Sequence, residues 1–186
     1  MKQLLTLLTG VLLLLSLSCN KKAVLTASNT RANTVSTTSL PTTLFIVRHA
    51  EKQAGKNPSL TDTGKRRATE LARVLEKVHL DAIYSSNYKR TKETALPTAN
   101  RKNLTITDYN PRELQELATN LLATQTGKTI LLIGHSNTNP ELLNIFTKTN
   151  DYPPMTEKQY DDIFLLRVHE IGETEILHLQ YGMPTK

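Results

Sequence analysis

Four residues of this 186-residue chain carry side chains suited to act together on an anion: Arg48, His49, Arg90 and His135. Arg48-His49 ends one apolar run, residues 42–47, and Gly134-His135 ends a second, residues 129–133. Arg90 lies one turn into the segment that follows a third run, residues 81–84. Guanidinium forks match phosphate oxygens two at a time. A neutral imidazole can attack phosphorus and become a phosphohistidine. The remaining cations would then hold the charge that gathers on the equatorial oxygens. Two guanidiniums and two imidazoles, with no Cys or Asp-His cluster, describe an anion pocket and not a metal site. Each residue alone has an ordinary reading. A His at a strand end is more often packed than reactive, and an Arg on an amphipathic helix is usually solvated. Their common placement beside strand ends is what points to chemistry.

The elements that must position them can be read from periodicity. Residues 42–47 are β-branched, aromatic and apolar, as a buried strand requires. Thr61 is the expected N-cap of a helix whose apolar face is Ala68, Leu71, Ala72, Leu75 and Val78. A short strand at 81–84 leads into a helix over 88–99, with Pro97 as a possible disturbance. A weak strand follows at 104–107. Asn110-Pro111 predicts a helix start, Asn as cap and Pro at the first position. Strand 129–133, a short helix at 141–147 and two closing strands at 163–168 and 174–181 complete the pattern. Strands alternating with helices predict an α/β fold, a three-layer α/β/α sandwich with a mostly parallel sheet. Ligands in such sheets sit at the carboxyl ends of the strands, which would bring His49 and His135 to one edge.

The net charge of +6 would by itself suggest nucleic acid or an anionic surface. Its distribution argues otherwise. The first 41 residues hold Lys2, Lys21, Lys22 and Arg31 and no acid, while all 17 acids fall at or after Glu51. The remainder is close to balanced. With 3 Phe, 6 Tyr and no Trp there is no evident stacking platform, so no nucleic-acid partner is expected. Lys2 followed by the apolar stretch 4–17 reads as an export signal, because 14 residues at ~1.5 Å each fall well short of a ~30 Å membrane core. Ser18-Cys19 at its end is similar to the lipobox of bacterial lipoproteins, although Ser16 stands where Leu is usual. The expected organisation is a signal peptide at 1–18, a lipidated Cys19 with a Ser/Thr/Asn-rich tether through 41, and a domain over 42–186. The domain would then be exported and held on a bacterial membrane, on the periplasmic or cell-surface side.

Val47-Arg48-His49-Ala50-Glu51-Lys52 resembles the Arg-His-Gly signature of the histidine phosphatase superfamily, the phosphoglycerate mutase-like fold. Three further stretches occur in that family's order. They are Leu60-Thr61-Asp62-Thr63-Gly64, the Ser-x-x-x-x-Arg-Thr-x-x-Thr-Ala pattern that begins at Ser85, and Ile133-Gly134-His135-Ser136. The resemblance implies His49 as the phosphorylated nucleophile, with Arg48, Arg90 and His135 binding the phosphoryl group and water hydrolysing the intermediate. It implies neither metal nor organic cofactor. The substrate would be a small phosphate monoester or a phosphohistidine on a phosphoprotein.

Two departures stand out. Ala50 replaces the usual Gly, and no Glu-x-x-x-Gly context marks a general acid. Asp108 and Glu113 are the candidates. Glu113 also fits a helix capping box, three residues after Asn110, and Glu116 fits an exposed helix face. Phosphohistidine substrates can dispense with an acid, so that class stays open. Asn137 and Glu141 could line the pocket. The stretches 53–59 and 149–159 would rim it, with Lys52 and Lys56 favouring an anionic substrate. His79, His169 and His178 read as structural. A mutase is the close alternative, disfavoured by the short connections between the site segments. A non-catalytic phosphate-binding lipoprotein is the other.

Overall fold

A computed structural model describes residues 40–185. The expected signal peptide, Cys19 and nearly all of the tether lie outside the described residues. The elements run β1 (Thr42–Arg48), α1 (Asp62–Val74), β2 (Ala82–Ser86), α2 (Lys89–Lys102), β3 (Ile106–Tyr109), α3 (Leu114–Thr124), β4 (Thr129–Gly134), α4 (Thr138–Thr147), β5 (Asp162–Glu170) and β6 (Glu173–Gln180).

The six strands form one sheet in the order β3-β2-β4-β1-β5-β6. The first four strands of that order pair in parallel. The two closing strands add antiparallel pairings, β1 with β5 and β5 with β6. The sheet is therefore mixed, with a parallel half that carries the site. Strand alternation divides the core between the two faces. Leu44, Ile46, Ile130 and Leu132 pack with Leu114, Ala118 and Leu121 of α3 and Leu142, Leu143 and Phe146 of α4. Val47, Leu131 and Ile133 turn the other way, onto Leu71 of α1 and Ala95 and Ala99 of α2. Both faces are covered, which is why β1 and β4 read as almost unbroken apolar runs.

Two local expectations change. α2 passes through Pro97 without a break and ends in a left-handed Asn103. The helix expected to begin at Asn110-Pro111 begins at Leu114 instead. Asn110 does act as a local acceptor, but in a turn: its side-chain oxygen accepts from Arg112 N at 3.1 Å, and its carbonyl from Glu113 N at 3.2 Å. Glu113 therefore stands at the helix boundary, makes no side-chain cap, and has no capping-box role.

α1 shows how the motif glycine serves the fold. Thr61 caps the helix, its Oγ1 accepting from Gly64 N at 3.1 Å. A Cβ on Gly64 would collide with the Glu51 carbonyl oxygen. That carbonyl also accepts from Thr61 N at 2.9 Å, so it cannot withdraw freely. Gly64→Ala is expected to destabilise the fold by about 2 kcal/mol, read as a drop of several degrees in the unfolding midpoint. A variant as stable as the parent would contradict this account of the contact.

Candidate active site

The parallel pairing of β1 and β4 sets the site. Arg48 lies opposite Gly134 in the register, so the next residues, His49 and His135, leave the sheet side by side. His49 N donates to Gly134 O at 2.9 Å, and the two imidazole centroids are 5.4 Å apart. β2 and the start of α2 contribute Ser86, Tyr88 and Arg90. These side chains line or support a cavity of about 390 Å³ bounded by Arg48, His49, Lys52, Arg90, His135 and Glu157, with Tyr88, Arg112 and Asn137 also on its wall.

Each imidazole has its tautomer fixed by partners that can play only one role. His49 Nδ1 is 2.8 Å from the Ala50 carbonyl, which can only accept. Nδ1 therefore carries the proton, and Nε2 keeps its lone pair. His135 Nδ1 faces Arg90 Nη2 at 3.3 Å, a group that can only donate. The proton on His135 is accordingly at Nε2 and goes to Ser86 Oγ at 2.7 Å. Ser86 Oγ donates in turn to Thr91 Oγ1 at 3.2 Å, and Thr91 donates to the Ser86 carbonyl at 2.7 Å. The Ser85 that opens the sequence pattern is used otherwise and donates to Ser86 O. Burial holds the His49 pKa down to about 3 and that of His135 to about 4, with neighbouring guanidiniums adding to both depressions. Both rings are neutral at neutral pH, the state a nitrogen nucleophile needs.

The arginines are held as firmly. Arg48 is buried, with its guanidinium stacked over Tyr160 at 4.3 Å. Its Nη1 donates to Thr156 O at 2.6 Å and Gln159 O at 2.9 Å, and its Nη2 stands 3.7 Å from Glu157 Oε2. Gln159 is anchored in turn. Its Nε2 donates to Asp162 Oδ2 at 2.5 Å, and the other Asp162 oxygen meets His178 Nε2 at 2.6 Å. Arg90 stacks over Tyr88 at 4.5 Å. The Nε–H groups of Arg48 and Arg90 are buried without a protein partner. Burial also pulls both guanidiniums below the usual arginine range. Buried donors of this kind are normally satisfied. A tetrahedral oxyanion between them would supply acceptors and negative charge together.

Arg48, His49, Arg90 and His135 thus come together as the strand-end argument required. Of the residues expected at the rim, Lys52, Asn137 and, from the stretch 149–159, Glu157 line the cavity, whereas Glu141 and the stretch 53–59 with Lys56 are absent from its wall. Neither acid candidate lines it. Asp108 is exposed and paired with Lys92 at 2.9 Å, and Glu113 is exposed. Sequence reasoning missed Ser86, Tyr88, Arg112 and Tyr160. Ser86 was in plain view beside Ser85, but only the inter-strand register shows which hydroxyl reaches His135.

The fold and site can now be set beside known proteins. The family model of the histidine phosphatase superfamily (branch 1) matches residues 44–131, a span that holds Arg48, His49 and Arg90. Phosphoserine phosphatase 1 of Hydrogenobacter thermophilus is 45% identical over 71 residues, 34% of this chain and 34% of that protein. The match spans about a third of that relative's length. Two solved structures share the fold. Mycobacterial glucosyl-3-phosphoglycerate phosphatase Rv2419c superposes with a TM-score of 0.63 at 15% identity, covering 72% of this chain and 96% of that one. The protein histidine phosphatase SixA, solved with tungstate, superposes with a TM-score of 0.62 at 18% identity, covering 74% and 96%. The family match covers just under half of the chain, and the solved structures show a shared fold.

Proposed function

We propose that the domain is a phosphatase that removes a phosphoryl group through a covalent intermediate on His49. The observation that carries this reading is the neutral His49, with Nε2 unprotonated, beside the guanidiniums of buried Arg48 and half-buried Arg90, whose Nε–H groups lack partners. The phosphatase names of the sequence relative and of the structural neighbours support the activity class. His49 Nε2 attacks phosphorus while Nδ1 keeps its proton and donates it in a hydrogen bond to the Ala50 carbonyl. Arg48 and Arg90 hold the equatorial oxygens, and His135 lines the same cavity beside Arg90. Water then displaces His49. The reading calls on no metal or cofactor. The substrate class is a phosphate monoester or a phosphohistidine, on a small molecule or a phosphoprotein. From the leader sequence we further propose that the domain is exported and tethered to a membrane by lipid on Cys19.

Turnover of an aryl phosphate and trapping of labelled phosphate on His49 test the mechanism. His49→Ala is expected to lose the label and nearly all turnover. Retention of label by that variant would place the nucleophile elsewhere. Binding of inorganic phosphate without turnover of any monoester or phosphohistidine peptide would favour a binding protein instead.

A further inference from the structure

Among the described residues, Glu157 is the only acid on the cavity wall, and it comes from a segment that no sequence motif marks. The carbonyls of Thr156 and Gln159, on either side of it, both accept from Arg48 Nη1. Gln159 is itself fastened to buried Asp162. The backbone that carries Glu157 is therefore pinned to the phosphoryl-binding arginine. Its side chain is 81% exposed and reaches Arg48 Nη2 at 3.7 Å. A fixed backbone with a free carboxyl at the cavity mouth can serve Arg48 in one rotamer and an incoming group in another.

We propose that Glu157 is the acid–base residue of this phosphoryl transfer, an assignment that rests on the phosphatase reading above. A phosphoryl dianion that takes Arg48 frees the carboxyl from its ion pair and leaves it at the cavity mouth. His49 Nε2 then forms the P–N bond as the P–O bond to the leaving group breaks. The proton of Glu157 passes to the leaving oxygen, and the alcohol departs. Water attacks next, its oxygen bonding to phosphorus and one of its protons returning to Glu157. The P–N electron pair goes back to Nε2, inorganic phosphate is released, and both residues are restored. Asp108 and Glu113 do not line the cavity, and Arg112 occupies the wall after β3.

Leaving-group dependence separates this role from simple charge. A poor leaving group such as an alkoxide needs the proton, whereas 4-nitrophenolate scarcely does. Glu157→Gln is expected to cut kcat for an alkyl phosphate at least about 10²-fold more than kcat for 4-nitrophenyl phosphate. Equal losses on the two esters, or none on the alkyl ester, would overturn the assignment while leaving the phosphatase reading intact. Absence of both turnover and His49 label in the parent protein would overturn the phosphatase reading and the assignment with it. Because the side chain is exposed, the variant is expected to unfold at the parent's temperature, which circular dichroism checks.

Discussion

Arg48→Met is expected to lower kcat/KM for an aryl phosphate by about 10³-fold, on the scale of removing a preorganised charge from a transition state. The same substitution should lower stability by about 1–2 kcal/mol, because the carbonyls of Thr156 and Gln159 lose their donor and Tyr160 loses the guanidinium stacked on it. The two effects share one side chain, since Nη1 holds the segment around Glu157 while the Nε–H has no protein partner. Arg48→Lys tests that division. A lysine keeps the charge but is a point, not a fork, and cannot serve two carbonyls and an oxyanion at once. It should remain at least about 10²-fold below the parent. If either variant kept kcat/KM and phosphate inhibition within about threefold of the parent, Arg48 would have no part in holding the phosphoryl group.

The second large effect is on stability as a function of pH. The unfolded chain takes up protons at His49 and His135 as the pH falls below about 6.5, the ordinary histidine value. The native protein resists until about pH 4 for His135 and about pH 3 for His49. Between those limits the unfolded state binds more protons, so stability falls with falling pH, by up to about 1.4 kcal/mol per pH unit for each ring. From pH 6.5 to 5 the pair should cost about 3 kcal/mol, a substantial share of an ordinary domain's stability. Denaturant unfolding at about pH 7 and pH 5 measures it. The doubly substituted His49→Asn, His135→Asn protein should lose most of that difference. An equal pH dependence in both proteins would mean that the two rings are not held neutral by burial.

The four central residues were legible because each lies at or just past an apolar strand, and strand ends of a parallel sheet share one edge. The apolar face of α1 was legible for a similar reason, since periodicity records burial. Other features depend on contacts between distant segments. Asn110-Pro111 carries a strong helix-start signal, yet the Asn side chain closes a turn and the helix waits for Leu114. That three-residue displacement removed the structural role assigned to Glu113. Glu157 lies in the 149–159 stretch expected to rim the pocket and does line it, but no local pattern singles it out within that stretch. It sits in a polar connection, and only the docking of that connection on a buried arginine 109 residues earlier in the sequence brings it to the cavity. The mixed sheet was partly legible, since the closing strands around Gly172 could be seen but not the antiparallel pairing of β5 with β1.

The pairing of Arg48 with Gly134 across β1 and β4 also separates chemistry from chain length. The histidines are spaced by strand register, so lengthening the intervening loops need not move either one. The loop after Lys52 shows how this isolation is built. Lys52 bridges to Leu60, and Gln53 N donates to Ser59 O at 2.9 Å, which ties the loop shut below an open tip at Gly55. Residues added at that tip would grow into solvent while Arg48, His49, Arg90 and His135 stayed in place. Lengthening this loop can thus reshape the surface next to Lys52 and leave Arg48, His49, Arg90 and His135 as they are.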